Sequence, residues 1–94
     1  MAKTATAGWT FLTNHSHVLV LLARAPDALL REVAAKVGIT ERAVQRIVAE
    51  LAEGGYLRIQ RVGRRNRYHV VDRLPLRHPV EAGTSVHQLL DLLK

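Results

Sequence analysis

The chain has 94 residues and carries 14 Lys+Arg against 8 Asp+Glu, a formal charge of +6 with histidine neutral. A chain this short buries roughly 60 to 65% of the surface it exposes when unfolded, enough for one core and too little for a second domain or a large enclosed substrate cavity. Its 48% apolar and 23% charged residues exclude the disordered and membrane classes, and its lack of cysteine excludes disulfide scaffolds, zinc ribbons and thiolate chemistry.

Residues 1 to 8 are small and polar without periodicity, and they read as a flexible arm that lacks the apolar stretch of a signal peptide. Asn14 is expected to cap a first helix from about His15 to Arg24, which Pro26-Asp27 stops. Its six-residue run from Val18 to Ala23 is the longest apolar stretch, against the roughly 20 residues that a bilayer span needs. The run is nonetheless wider than the stripe of roughly 100° that a helix on one side of a small domain uses. Val18, Leu19 and Leu22 therefore read as surface for another element or a second chain.

A short extended piece at Ala28-Leu29 precedes a second helix, about Leu30 to Lys36, with Val33, Ala34 and Val37 turned inward. Gly38 ends it in a left-handed conformation, Ile39 plugs the turn, and Thr40 caps a third helix from Glu41 to about Glu53. Val44, Ile47, Val48 and Leu51 give that helix one buried stripe, which leaves Glu41, Arg42, Gln45, Arg46, Ala49 and Glu50 exposed. Gly54-Gly55 stops it.

From Tyr56 to Val62 the period changes to two, Gly63-Arg64-Arg65-Asn66 interrupts, and Arg67 to Val71 resumes, as in a β-hairpin with a basic tip. Asp72 to Pro79 holds two prolines and reads as an extended connector. Ser85 with Gln88 fits a capping box for a last helix of about nine residues, whose stripe of Val86, Leu89, Leu90 and Leu93 is too short to stand unpacked.

This order of elements is that of a winged helix-turn-helix, mainly α with a small antiparallel hairpin (α+β) and an added C-terminal helix. Ala34, Gly38, Val44 and Ile47 carry the motif: a small residue where two helices cross, a glycine for the turn, and two apolar anchors for the second helix. The stretch from Leu30 to Val71 resembles the DNA-binding half of prokaryotic MarR-like and ArsR-like transcriptional regulators. The resemblance implies that helix 40–53 enters the major groove of double-stranded DNA with Thr40, Glu41, Arg42, Gln45 and Arg46 facing the bases. It also implies that a wing over 61–67, with Arg64, Arg65 and Arg67, lies on the backbone or minor groove. Full-length relatives carry longer flanking helices and a ligand pocket, for which this chain leaves no room, so no small-molecule ligand is expected. The expected organisation is an arm at 1–8, a winged helix-turn-helix domain at 9–73, and a connector and helix at 74–94 for dimerisation.

The charge distribution supports the same partner independently. Arg58, Arg61, Arg64, Arg65, Arg67 and Arg73 stand against the single acid Asp72 within sixteen residues, a phosphate-binding footprint that includes Arg61 and Asn66. On the third helix Gln45 suits adenine and Arg42 or Arg46 suits guanine, with Thr40 beside them, whereas an acid at position 41 also complements the helix dipole. No His-x-x-x-His or Glu-x-x-His pair suggests a metal, and neither Ser16 nor Ser85 has triad partners at suggestive spacing, so no metal, cofactor or enzyme is expected.

Two half-sites read by a homodimer are the usual source of specific affinity for this motif, and Val18, Leu19, Leu22, Val86, Leu89, Leu90 and Leu93 offer the surface. The alternative is that the last helix folds back over the first helix of its own chain. At the level of function the alternatives are a winged-helix module that meets an acidic protein and an architectural protein that reads backbone shape. A nucleoid-associated cytoplasmic regulator with no membrane partner is the expectation.

Overall fold

The computed structural model describes residues 8–94, so all of the expected arm except Gly8 lies outside the described residues. Thr13, not Asn14, caps the first helix. Its hydroxyl oxygen accepts the Ser16 N–H at 3.3 Å, and Asn14 becomes the first residue of α1 (Asn14–Arg24). Two adjacent capping residues compete here, and the one with extended backbone (φ −78°, ψ 168°) takes the role.

α2 (Leu30–Val37) begins without a hydroxyl cap, and the Glu32 carboxylate accepts the Leu29 N–H at 3.0 Å instead. It ends at Gly38, whose φ of +87° is the left-handed conformation that the glycine was expected to supply. The Gly38 and Ile39 N–H groups both donate to the Ala34 carbonyl, closing the turn. Thr40 then caps α3 (Glu41–Glu53) by accepting the Ala43 N–H at 3.0 Å.

The hairpin pairs β1 (Leu57–Val62) with β2 (Arg65–Val70) in an antiparallel register that runs from Leu57↔Val70 to Val62↔Arg65. Its loop is two residues long. Gly63 has φ +62° and no other residue of the turn has a positive φ, the pattern of a type II′ turn. The expected four-residue tip is thus corrected, because Arg65 and Asn66 are strand residues. The short piece at Ala28-Leu29 is extended at Leu29 (φ −80°, ψ 141°) but does not join the sheet as a strand. Pro26 supplies one carbonyl to the Tyr68 N–H at 2.9 Å, and the sheet stops at two strands.

The core gathers Val18, Leu19 and Leu22 of α1, Val33 and Ala34 of α2, Val44, Ile47 and Val48 of α3, Leu57 and Tyr68 of the hairpin, and Val86. α1 lies at the centre, touching α2, α3 and β2. That position explains its apolar width, and it corrects four of the seven residues expected at a dimer surface. Val18, Leu19, Leu22 and Val86 are buried in their own chain's core, with Val18 and Leu22 fully enclosed.

The last segment folds back. Tyr56 donates its hydroxyl to the Pro75 carbonyl at 2.7 Å, and Leu76 and Val86 donate N–H groups to Thr84 and Leu74, closing the loop between them. A 3₁₀ turn at Pro79–Glu81 interrupts the connector that was expected to be extended. α4 (Val86–Leu92) keeps the expected Ser85–Gln88 capping box but is seven residues long. It is tied back by the His87 N–H to the Asp72 carbonyl at 2.8 Å and by Arg24, which donates to the Leu93 carbonyl. Among the described residues no helix is long and apolar enough to cross a membrane.

Candidate nucleic-acid interface

α3 presents the face that its periodicity dictates. Val44, Ile47 and Val48 are buried, while Glu41, Arg42, Gln45, Arg46, Ala49 and Glu50 are exposed. Among the described residues Arg42 and Arg46 enter no ion pair, so their donors remain available for an external acceptor. Thr40 differs, since its hydroxyl oxygen is engaged by the Ala43 N–H and what remains is the hydroxyl proton. The face has an acidic rear end. Glu50 lies 2.7 Å from His15 Nε2 on α1, and its carboxyl is held below the usual carboxylate value, first by that hydrogen bond and also by the charges of His15 and Arg46.

The wing has two unlike faces. Leu57, Ile59 and Arg61 share one side of the pleat with Asn66, Tyr68 and Val70, and Arg58, Gln60 and Val62 share the other with Arg65, Arg67 and His69. Only Leu57 and Tyr68 are buried. Ile59 is 44% and Val62 52% exposed, because no layer covers the distal half of a two-stranded ribbon. The expected alternation therefore does not extend beyond the base, and every residue of β1 from Arg58 to Val62 is exposed.

The five expected backbone contacts fall into different settings. Arg64 stands exposed at the second position of the turn. Arg61 folds back, with Nε donating to the Gly63 carbonyl at 3.1 Å, so it braces the turn. Asn66 is half-buried opposite Arg61. Arg65 donates Nη2 to the Asp27 carbonyl at 2.5 Å, and Arg67 Nε lies 3.6 Å from Asp27 Oδ1. Asp27 is an element that sequence reasoning missed. It sits beside Pro26 and reads as part of a helix stop, and no local pattern announces a partner 38 residues away.

The wing and the start of α3 are neighbours. A cleft of about 220 Å³ is lined by Leu29 and Leu30 of α2's entrance, Glu41 of α3, and Arg61, Arg64 and Asn66 of the hairpin. The start of α3 and the arginine hairpin thus open onto one cleft. A second feature corrects the expectation that the chain has no room for a pocket. An open cleft of about 660 Å³ lies between α1, the end of α3 and the returning connector, with His15, Ser16, Glu50, Tyr56, Arg77 and Val86 in its wall. It exists because residues 72–85 loop back instead of extending away. Among the described residues no group of three His, Cys, Asp or Glu is placed to hold a metal ion.

Leu89, Leu90 and Leu93 are half-buried along α4, while Leu92 is 81% exposed. At the other terminus Trp9 and Phe11 pack edge to face with ring centroids 5.1 Å apart and are largely exposed.

A family profile described as the MarR family matches residues 10–67. Among solved structures, the crystal structure of the AntR antimony-specific transcriptional repressor matches with a TM-score of 0.55 and 30% sequence identity. The match covers 82% of this chain and 60% of that one, so the present chain spans about three-fifths of that repressor's length. No curated protein sequence matches the chain.

Proposed function

Because the chain belongs to the MarR family, we propose that it is a transcriptional regulator that binds double-stranded DNA, with α3 in the major groove and the wing on the backbone or minor groove. The observation that carries this is the cleft that Glu41, at the start of α3, shares with Arg61, Arg64 and Asn66 of the wing, together with the exposure of Arg42, Gln45 and Arg46 on α3. Gln45 is suited to adenine, and Arg42 and Arg46 to guanine. The Thr40 hydroxyl proton is left for a base edge or a phosphate. Arg61 and Asn66 support the wing from its inner face, and Arg64, Arg65 and Arg67 supply its charge to phosphate.

Residues 9–73 form the DNA-binding unit, and residues 74–94 carry the contact to a second copy. Leu90 packs against the chain's own core, and the part of the dimer surface left is Leu89, Leu92 and Leu93, with the Trp9–Phe11 pair at the other terminus. A regulator of this kind works at the nucleoid in the cytoplasm, and repression follows the description of the matched repressor. Antimony does not follow, since soft metalloids seek thiolates and these 94 residues hold no cysteine.

The reading is tested by Arg64→Ala, which is expected to weaken binding to every duplex and to flatten the dependence of log K on log salt by about one. An unchanged slope would remove the wing from the interface. Gln45→Ala is expected to relax the preferred sequence at one position, and recovery of the same motif at the same strength would remove that residue from base readout.

A further inference from the structure

Pro26 and Asp27, in the loop between α1 and α2, meet β2 in three ways that differ in kind. The Pro26 carbonyl accepts the Tyr68 N–H at 2.9 Å, and the Asp27 carbonyl accepts Arg65 Nη2 at 2.5 Å. Both are hydrogen bonds to the main chain of the loop, one from the middle of β2 and one from its turn end, and they hold the strand whatever side chain stands at position 27. The third contact is between charges. Asp27 Oδ1 lies 3.6 Å from Arg67 Nε, beyond hydrogen-bond distance, with side chains 69% and 58% exposed. The guanidinium is thereby attracted while its donors stay unspent. Among the described residues this is the one ion pair that any arginine of the hairpin makes.

We propose that Asp27 is a positioning residue for the wing, whose main chain sets the angle of β2 and whose carboxylate holds Arg67 until a DNA phosphate displaces it. The proposal rests on the DNA-binding reading above. An exposed pair is worth little and is screened by salt, so it yields to a phosphate that offers Arg67 a hydrogen-bonded, bidentate partner. The carboxylate also places a negative charge among the phosphate-seeking arginines. Asp27 thus lowers the general grip of the wing and leaves the bases read by α3 untouched.

The experiment compares wild type, Asp27→Asn, Arg67→Ala and the double variant in duplex binding over a range of salt, on one random-sequence duplex and on one selected for tight binding. Asparagine keeps the size of the side chain and both main-chain acceptors, and circular dichroism checks that each variant is folded. Asp27→Asn is expected to bind both duplexes more tightly at low salt by the same factor, about two- to fivefold, the range of an exposed ion pair. Its salt slope is expected to steepen by up to about one. The gain is expected to vanish when Asp27→Asn is made in the Arg67→Ala background.

A gain of equal size in that background would make Asp27 a nearby charge with no hold on Arg67, and would overturn the proposal. So would a gain confined to the selected duplex, or no gain at all in a wild type that binds DNA. A wild type that binds neither duplex would overturn the DNA-binding reading, and the latch with it. The nuclear magnetic resonance of the Arg67 Nε–H group in the free protein gives a readout independent of DNA. It is expected to shift in Asp27→Asn, and an unmoved signal would contradict the hold.

Discussion

The two regions proposed to meet DNA, α3 and the wing, differ in what holds them. α3 is anchored by Val44, Ile47 and Val48, each at most 5% exposed, and is capped at its start by Thr40. The wing is packed into the core only at Leu57 and Tyr68, and outward of them it is held by its ladder, its turn and the polar contacts of β2 with the Pro26–Asp27 loop. A side chain that must meet a particular base needs the fixed mounting of the first. One that must meet a phosphate somewhere along a backbone tolerates the looser mounting of the second. Under the proposed function, sequence discrimination falls to α3 and general affinity to the wing.

The largest expected effect tests the anchoring itself. Ile47→Ala removes a side chain packed between α3 and the core and is expected to cost about 2 to 5 kcal/mol. Ile59→Ala on the exposed wing is expected to cost no more than about 1 kcal/mol, given its partial burial. Denaturant unfolding reads both, and equal losses would erase the distinction.

Next, Arg46→Ala is expected to reduce discrimination between the preferred site and a site changed at one base pair by about 1 to 3 kcal/mol, whereas Arg64→Ala should leave that ratio intact. Competition binding with the two duplexes measures it, and a lost ratio in Arg64→Ala would transfer base reading to the wing.

Gly38→Ala sharpens the comparison from the backbone side. Nothing lies within 4 Å of the added methyl, so the cost is that of the left-handed conformation alone, about 1 to 2 kcal/mol. It should appear in thermal unfolding with no change in the salt slope of DNA binding.

The smallest effect concerns the rear of α3. Glu50 has its carboxyl held below the usual value by His15, so the folded state favours the ionised form. That contribution is present above the unfolded carboxylate pKa and is lost as pH falls through the lower folded value. Glu50→Gln should lower stability slightly at neutral pH and converge with wild type in acid, so that the acid limb of the stability curve is flatter. An identical acid limb would remove the pair from the stability of the fold.

The same division explains what could be read from the chain. Ala34, Gly38, Thr40, Val44 and Ile47 are tied to one another by local spacing, so the turn, its cap and the exposed face of α3 are legible without any tertiary knowledge. The tip of the wing is not, because Arg65 and Asn66 look like turn residues until pairing with Val62 and Arg61 fixes the register. The apolar width of α1 called for another element or a second chain without deciding between them, and the partners are α2, α3 and β2 of its own chain. Those contacts depend on how the helices close around it. Asp27 is the extreme case. Its whole role lies in contacts to Arg65 and Arg67, and nothing in the neighbourhood of Pro26 encodes them.

The most direct test of the central claim is selection of duplex DNA from a random-sequence pool by the intact chain, over a range of salt, with the mass of the complex measured in the same buffer. The account predicts salt-sensitive binding that enriches a palindromic site, bound by a species of about 21 kDa, twice the 10.5 kDa of one chain. Absence of binding at low salt, or equal affinity for every sequence in the pool, would contradict it.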